Sequence, residues 1–238
     1  MTRFVLPGDA ISLDPIQAAS NQPLYIGSGL VHDEKDNLCL VTQMGVLIVD
    51  GPKNRMFVET CGGIYEPLAE DYVIGVVRGL KAGEFYRIDI GSDQEALLPV
   101  LAFDGATKRN RPMLENGSFI YAKVAQTRED MSPVLSCHMT FQSYAKDWVT
   151  NECVFGPLKG GFVTQVSAAL CRMLMDLKQE QILSLIGKKI AYEVAIGMNG
   201  KIWINSESSE NTIRLHLLFQ RMKNKSPVEC LDLVKNTI

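Results

Sequence analysis

Short apolar runs broken by glycine, proline and asparagine dominate the first quarter of the chain. Asn37–Gln43, Gly45–Val49 and Arg55–Thr60 each have the length and apolar content of a strand. Turn-forming residues set them apart: Gly45, then Asp50-Gly51-Pro52, then Gly62-Gly63. The pattern predicts a small all-β module over residues 1–65.

A second β pattern occupies residues 66–130. Tyr72–Arg78 reads as a strand, Lys81-Ala82-Gly83 as a turn, and Glu84–Ile90 as a strand. In the latter, Phe85, Arg87 and Asp89 alternate with Tyr86, Ile88 and Ile90, so the two sets face opposite sides of a sheet. Gly91 ends it, Ala96–Leu98 is a short apolar strand, and Ser118–Val124 closes the set. About five strands in roughly sixty residues, with an irregular segment before the last, fit an OB-type barrel. So small a module buries only about 60% of its unfolded surface, so it is expected to lean on its neighbours.

From about residue 132 the period changes. Val163, Val166, Leu170, Met173, Leu174 and Leu177 recur at helical spacing, as do Leu215, Leu218, Phe219 and Met222. Ser226-Pro227-Val228-Glu229 forms a capping box with proline at the first helical position, predicting a last helix. Ala191–Ile196 and Lys201–Asn205 are strand-like runs around Met198-Asn199-Gly200. Residues 131–238 therefore read as a third, α+β module, and the whole chain as α+β and multidomain.

Composition adds limits. Of 238 residues, 46% are hydrophobic and 21% charged, enough apolar material for a sizeable core. The net charge of −3 weighs mildly against a nucleic-acid partner, but local patches matter more than the sum. Three stretches are basic: Gly105–Leu114 with Lys108, Arg109 and Arg111; Asn211–Ser226 with Arg214, Arg221, Lys223 and Lys225; and Tyr72–Ile88 with Arg78, Lys81 and Arg87 against Glu84. None of the six cysteines forms a CxxC pair, which argues for free thiols in a reducing compartment and against a zinc ribbon. No secretory signal pattern and no long apolar run is visible, so neither export nor a membrane is expected.

Catalytic signatures are missing: there is no GxSxG, HExxH or P-loop. Gly27-Ser28-Gly29 opens like a dinucleotide fingerprint, but His32 stands where the third glycine belongs, and a β-turn is the better reading. His32, His138 and His216 read as surface or satisfied core residues. Asp33, Glu34 and Asp36 lack the spacing of a calcium loop and read as a solvated hairpin.

Two segments bear on RNA. Gly197-Met198-Asn199-Gly200 matches the GxxG of KH domains, which grips RNA backbone between two helices. Here strand-like runs flank it and neither middle residue is basic; Asn-Gly between strands favours a hairpin turn over a clamp. The stretch Gly105-Ala106-Thr107-Lys108-Arg109-Asn110-Arg111-Pro112 carries three cations in four positions. On a barrel loop it would contact phosphates, or stay solvated, or bridge to a protein neighbour; physics leaves these even.

That loop also carries a resemblance. Asp71–Val77, Tyr86–Gly91, Gly105–Pro112, Gly117 with Ile120-Tyr121-Ala122, Asp130–Pro133 and Gly197–Ile204 follow in the order of the RNA exosome cap subunits of the ribosomal RNA-processing protein 40 type (exosome complex component 3). Pro7-Gly8-Asp9 and Gly27–Leu30 fit the same family, so the resemblance covers nearly the whole chain. It implies an N-terminal β domain, an OB-fold barrel and a C-terminal KH-type α/β domain. It also implies a non-catalytic subunit, without cofactor or metal, on a ring of RNase-PH-like subunits beside other cap subunits. There it would help thread single-stranded RNA, not DNA, for 3′-to-5′ processing and degradation, in nucleus, nucleolus and cytoplasm.

Arg78, Lys81, Lys108, Arg109 and Arg111 are the expected phosphate contacts, with Phe85 as a stacking face; Gly197, Asn199, Gly200 and Trp203 are expected to be structural. The alternative from another class is a protein-only scaffold whose basic loop docks a neighbour. A metal-dependent nuclease built on Asp33, Glu34 and Asp36 is a distant third. Two places depart from the family: Glu70-Asp71 stands where it has Gly-Asp, and Tyr144–Asn151 matches nothing in it.

Overall fold

The computed structural model describes residues 2–13, 24–33, 37–50, 54–59, 64–107, 109–110, 112–128, 131–138, 155–175, 180–223, 225 and 227–237. The chain divides into two units, Met1–Gly63 and Ile64–Ile238.

The described part of the first unit is all-β. β1 (Thr2–Val5), β6 (Gly45–Asp50), β7 (Arg55–Glu59) and β3 (Tyr25–Ile26) form one sheet in the order β1-β6-β7-β3. β2 (Ala10–Ser12), β5 (Leu38–Val41) and β4 (Leu30–Asp33) form another in the order β2-β5-β4. Val5, Leu13, Leu30, Cys39, Val41, Leu47, Met56 and Val58 fill the space between. β5 to β7 are the three runs legible in the sequence; β1 to β4, at two to four residues, are too short for alternation to register. Gly27-Ser28-Gly29 is a turn whose backbone is used up in the fold. Gly27 donates to the Met56 carbonyl, Val58 to that of Ser28 and Thr42 to that of Gly29. A Cβ on Gly29 (φ +76°) would stand 2.8 Å from Val58 Cβ, so the glycine lets this turn pack closely on β7.

The second unit begins with the barrel. β8 (Tyr72–Lys81), β9 (Phe85–Asp89), β10 (Ala96–Pro99), β11 (Phe119–Arg128) and β12 (Met131–Ser136) run in the order β12-β10-β9-β8-β11, and β11 pairs again with β12. One parallel pair, Leu97 opposite Val134, closes the ring on the other side. The fifth strand is therefore β12, which lies in the stretch expected to open the α+β module. Pro133 hid it, because proline demotes a run as a central strand. The expected boundary at 130/131 falls between β11 and β12, which pair antiparallel. Val73, Val77, Ile88, Leu98, Ile120, Ala122, Val124 and Leu135, all essentially inaccessible, belong to the core. Gly75 makes room for it: a Cβ there would collide with Ile88 and stand 3.2 Å from Ile90.

Glu70, where the resemblance predicts glycine, sits in the left-handed region at φ +73°, a conformation that strains a side-chain-bearing residue. Its amide donates to the Val124 carbonyl (2.9 Å), and its carboxylate meets the ammonium of the buried Lys123 at 2.5 Å. A side chain at this position thus supplies a counter-ion that glycine would not.

Against the barrel lies the third module. β13 (Gly156–Leu158) pairs with β11. β14 (Phe162–Gln165), α1 (Ala168–Met175), α2 (Glu180–Gly187), β15 (Glu193–Gly197), β16 (Lys201–Asn205), α3 (Ser209–Met222) and α4 (Pro227–Thr237) follow, with the strands ordered β14-β16-β15. Leu170, Leu174, Ile182, Ile186, Ile202, Leu218, Phe219 and Val234 knit helices to sheet. Val163 is not helical, as its spacing suggested, but sits in β14. The inward residue of that strand is polar: Thr164 is 1% exposed, with its hydroxyl 2.9 Å from both His216 Nδ1 and Gln220 Nε2. Phe162, on the same face as Thr164, is exposed and stacks edge-on against His216, so the strand's one buried position is polar and no period-2 signal shows. Leu177 and Ser226 lie outside the described residues; α4 does start at Pro227.

Gly75→Ala is expected to destabilise the second unit by ~1–3 kcal/mol through overpacking. Denaturant titration followed by Trp203 fluorescence should show a lower midpoint with an unchanged slope.

Candidate nucleic-acid interface

The outer face of β8 and β9 gathers most of the described candidates. Phe85, Arg87 and Asp89 point away from the core while Tyr86 and Ile88 point into it. Across the hairpin Lys81 stands opposite Phe85, and Gly79 opposite Arg87. A register shift between Val77 and Gly79 makes Arg78 the bulged residue, a device that re-aims a side chain. Arg78 Nη2 donates to Asp89 Oδ2 at 2.6 Å, and Asp89 Oδ1 accepts from the Gly91 amide at 3.0 Å. The bond from Arg78 holds the Asp89 carboxyl below its ordinary range, helped by Gly91 and Lys201 against some burial. Arg87 Nη1 lies 3.5 Å from Glu95 Oε2, both about half exposed.

The basic loop is pinned from below. Tyr86 lies in the core, but its hydroxyl donates to the Pro112 carbonyl (3.0 Å) and accepts from the Leu114 amide (3.4 Å). Upstream, Thr107 and Asn110 exchange backbone bonds of 2.9 and 3.1 Å, which leaves Arg109 on an exposed tight turn. Lys108 and Arg111 lie outside the described residues, as do Glu34 and Asp36; Asp33 ends β4.

Gly197-Met198-Asn199-Gly200 is the turn of the β15–β16 hairpin, and it is spent on the barrel. Asn199 Nδ2 donates to the carbonyls of Ile90 (2.7 Å) and Ile74 (2.8 Å), and its Oδ1 accepts from the Ile74 amide (3.3 Å). The Met198 amide donates to the Tyr72 carbonyl at 2.7 Å. Beside it the Tyr121 hydroxyl donates to the Ile196 carbonyl at 3.0 Å. A Cβ on Gly197 would approach Ile74 N to 2.9 Å, and one on Gly200 (φ +75°) would approach the Val166 carbonyl oxygen to 2.8 Å. Trp203 is buried, and its indole N–H donates to the Gly160 carbonyl at 2.9 Å. The Met198 amide and the asparagine side chain of this turn are thus spent on the barrel.

The residues thus give a closed barrel with a cationic, aromatic-bearing outer face, joined through an Asn-Gly turn to an α+β module. The model of the exosome complex component RRP40 S1 domain matches residues 65–147, and a KH domain model matches residues 161–210. Exosome complex component rrp40 of Schizosaccharomyces pombe is 34% identical over 98% of this chain and 95% of its own length. The chain belongs to the RRP40 family. Exosome complex component RRP40 of Drosophila melanogaster is 32% identical over 89% of this chain and 85% of its own. A crystal structure of a protein provisionally described as an exosome complex RNA-binding protein superposes with a TM-score of 0.56 at 19% identity, over 74% of this chain and 97% of that one, a likeness of fold.

Two cations of this RRP40 family member escaped the sequence reading as site residues. Arg87 had a signal, its alternation with Phe85. Lys201 had none, because only the docked hairpin brings it to the barrel; its ammonium, half-buried, interacts with Asp89 and Arg78, and burial lowers its pKa.

Asn199→Ala would leave two carbonyls and an amide of the barrel unanswered in a part-buried site. At ~1–3 kcal/mol per unsatisfied buried group, partly relieved by water, a loss of ~2–4 kcal/mol is expected in chemical denaturation. N199D should be less stable still at neutral pH, since its carboxylate would face two carbonyl oxygens. That pairing raises the folded-state pKa of the new carboxyl above its unfolded value, so N199D should gain on N199A as pH falls through it.

Proposed function

We propose that this chain is a non-catalytic RNA-binding cap subunit of an exosome, one wall of a path through which single-stranded RNA is threaded for 3′-to-5′ processing and degradation. The observation that carries the reading is the barrel's outer face. Phe85 offers a stacking surface between Lys81 and Arg87, Arg78 is bulged towards the same face, and Arg109 stands on an exposed turn. Aromatic stacking plus backbone-tracking cations is how OB folds hold single strands without reading sequence. Family membership and the absence of nucleophile-base and metal-ligating signatures from the sequence support the subunit rather than the enzyme reading.

Docking to RNase-PH-like ring subunits belongs to the same reading. Ala10, Leu40 and Val31 make one cross-strand row over β2, β5 and β4, and all three are exposed. Such an apolar row is costly on a free surface and suits a protein interface. Nucleus, nucleolus and cytoplasm are the compartments this role implies.

If Lys108, Arg109 and Arg111 each neutralise a phosphate, a single-strand slope of ~0.7 per contact gives about −2 in log affinity against log salt. Binding of a labelled oligouridylate by the full chain should then fall about twentyfold between 50 and 200 mM salt. The triple change K108E/R109E/R111E should flatten that slope and shorten the RNA protected by a reconstituted complex. Should the triple variant instead fail to assemble with the ring while RNA protection by the remaining complex is unchanged, the loop is a protein dock and the scaffold reading replaces this one.

A further inference from the structure

Every described cation on the outer face of β8 and β9 for which a partner is resolved is held by a carboxylate. Arg78 is bonded to Asp89 and Arg87 faces Glu95. The Arg87 guanidinium lies over the bare backbone of Gly79, where a Cβ would touch Arg87 Nη2 and Asn116 Oδ1, each at 3.5 Å. At the far end the β15–β16 hairpin, docked on Ile74 and Ile90, carries half-buried Lys201 into the electrostatic field of Asp89 and Arg78. Lys201 is two residues from Asn199, whose bonds to Ile74 and Ile90 fix the hairpin beside the end of β9. One cation from each module therefore acts on Asp89, Arg78 through a direct bond and Lys201 through its field.

An isolated Arg–Asp pair would be a surface ion pair of little energetic consequence. The arrangement here differs in three ways. The cations line one face in the order Lys81, Arg87, Arg78, Lys201, with Phe85 among them. Glycine keeps the backbone beneath Arg87 open. The acids number fewer than the cations, leaving the face net positive. Exposed pairs of this strength exchange readily for a phosphate, whose oxygens make the same charge-assisted bonds to a guanidinium.

Building on the RNA-binding reading above, we propose that Arg87 and Lys201 extend the barrel's RNA contact into one strip spanning barrel and KH-type module, and that Asp89 is a built-in competitor for the RNA phosphate. The strip's ligand is the sugar-phosphate backbone of single-stranded RNA. By occupying Arg78 between phosphates and drawing on the field of Lys201, Asp89 keeps each contact weak, so that a strand slides rather than lodges.

The test uses the full chain and a labelled oligouridylate, with affinity measured against salt. K201M and R87M should each weaken binding several-fold and reduce the salt slope by ~0.7, while K201R retains it. D89N keeps the oxygen that accepts from Gly91 but loses the charge; it should tighten binding several-fold and steepen the slope by ~0.7. Thermal melting of each variant separates these effects from unfolding. Unchanged or weaker binding by a folded D89N overturns the competitor role, and unchanged slopes for folded K201M and R87M overturn the strip. If K108E/R109E/R111E weakens binding while the strip variants do not, the strip alone is wrong. If wild type shows no salt-dependent binding at all, the RNA-binding reading fails with it.

Discussion

The second unit rests on one side chain meeting backbone that its own sheet leaves unsatisfied. β8 and the end of β9 present the carbonyls of Ile74 and Ile90 and the amide of Ile74, and Asn199 answers all three. An asparagine has one carbonyl and two N–H groups, so this site exhausts most of what the side chain can do. A basic residue would have donors but no acceptor, and an aspartate the reverse. The turn must also be thin: the Gly197 and Gly200 positions lie too close to backbone to carry a Cβ. The sequence that elsewhere marks an RNA clamp here marks a joint.

That joint explains why so small a barrel is stable. β11 runs buried from Ile120 to Val124 on both faces, because one face packs inward and the other meets the third module. Tyr72, Tyr121 and Phe155 cluster at this seam with ring centroids 5.3 to 6.2 Å apart. The barrel's core takes in Ala195 and Trp203 of the KH-type module, so the barrel does not complete its apolar interior alone. Lys123 is buried at the same strand, and Glu70 compensates its charge from a strained turn.

Function is left to the surfaces this packing does not consume. The barrel's outer face keeps Phe85 half-buried and its cations exposed, while the loop from β10 to β11 is tied down by the core hydroxyl of Tyr86. Tyr86, with its ring inside the barrel, anchors the loop at Pro112 and Leu114. Rigid placement with weak individual contacts is what the proposed passage of a strand requires. A site with deep pockets and full neutralisation would hold RNA in place instead.

Much of this was legible in the sequence. Turn residues between apolar runs marked β5 to β9, the alternation through Phe85 and Asp89 assigned their faces, and Asn-Gly between strand-like runs identified the hairpin at residue 199. The resemblance carried by the Gly105–Pro112 and Gly197–Ile204 motifs matched the family that the comparisons show. What failed did so where the local signal was inverted: Pro133 inside β12, and Thr164 turned inward in β14 to meet His216 and Gln220. What could not be read at all was long-range. Nothing local says that Asn199 bonds to residues 109 and 125 positions away, that Glu70 pairs with Lys123, or that Lys201 enters the field of Asp89. Periodicity records which side of an element is buried; which element covers it, and which charges then become neighbours, is decided only when the chain closes on itself.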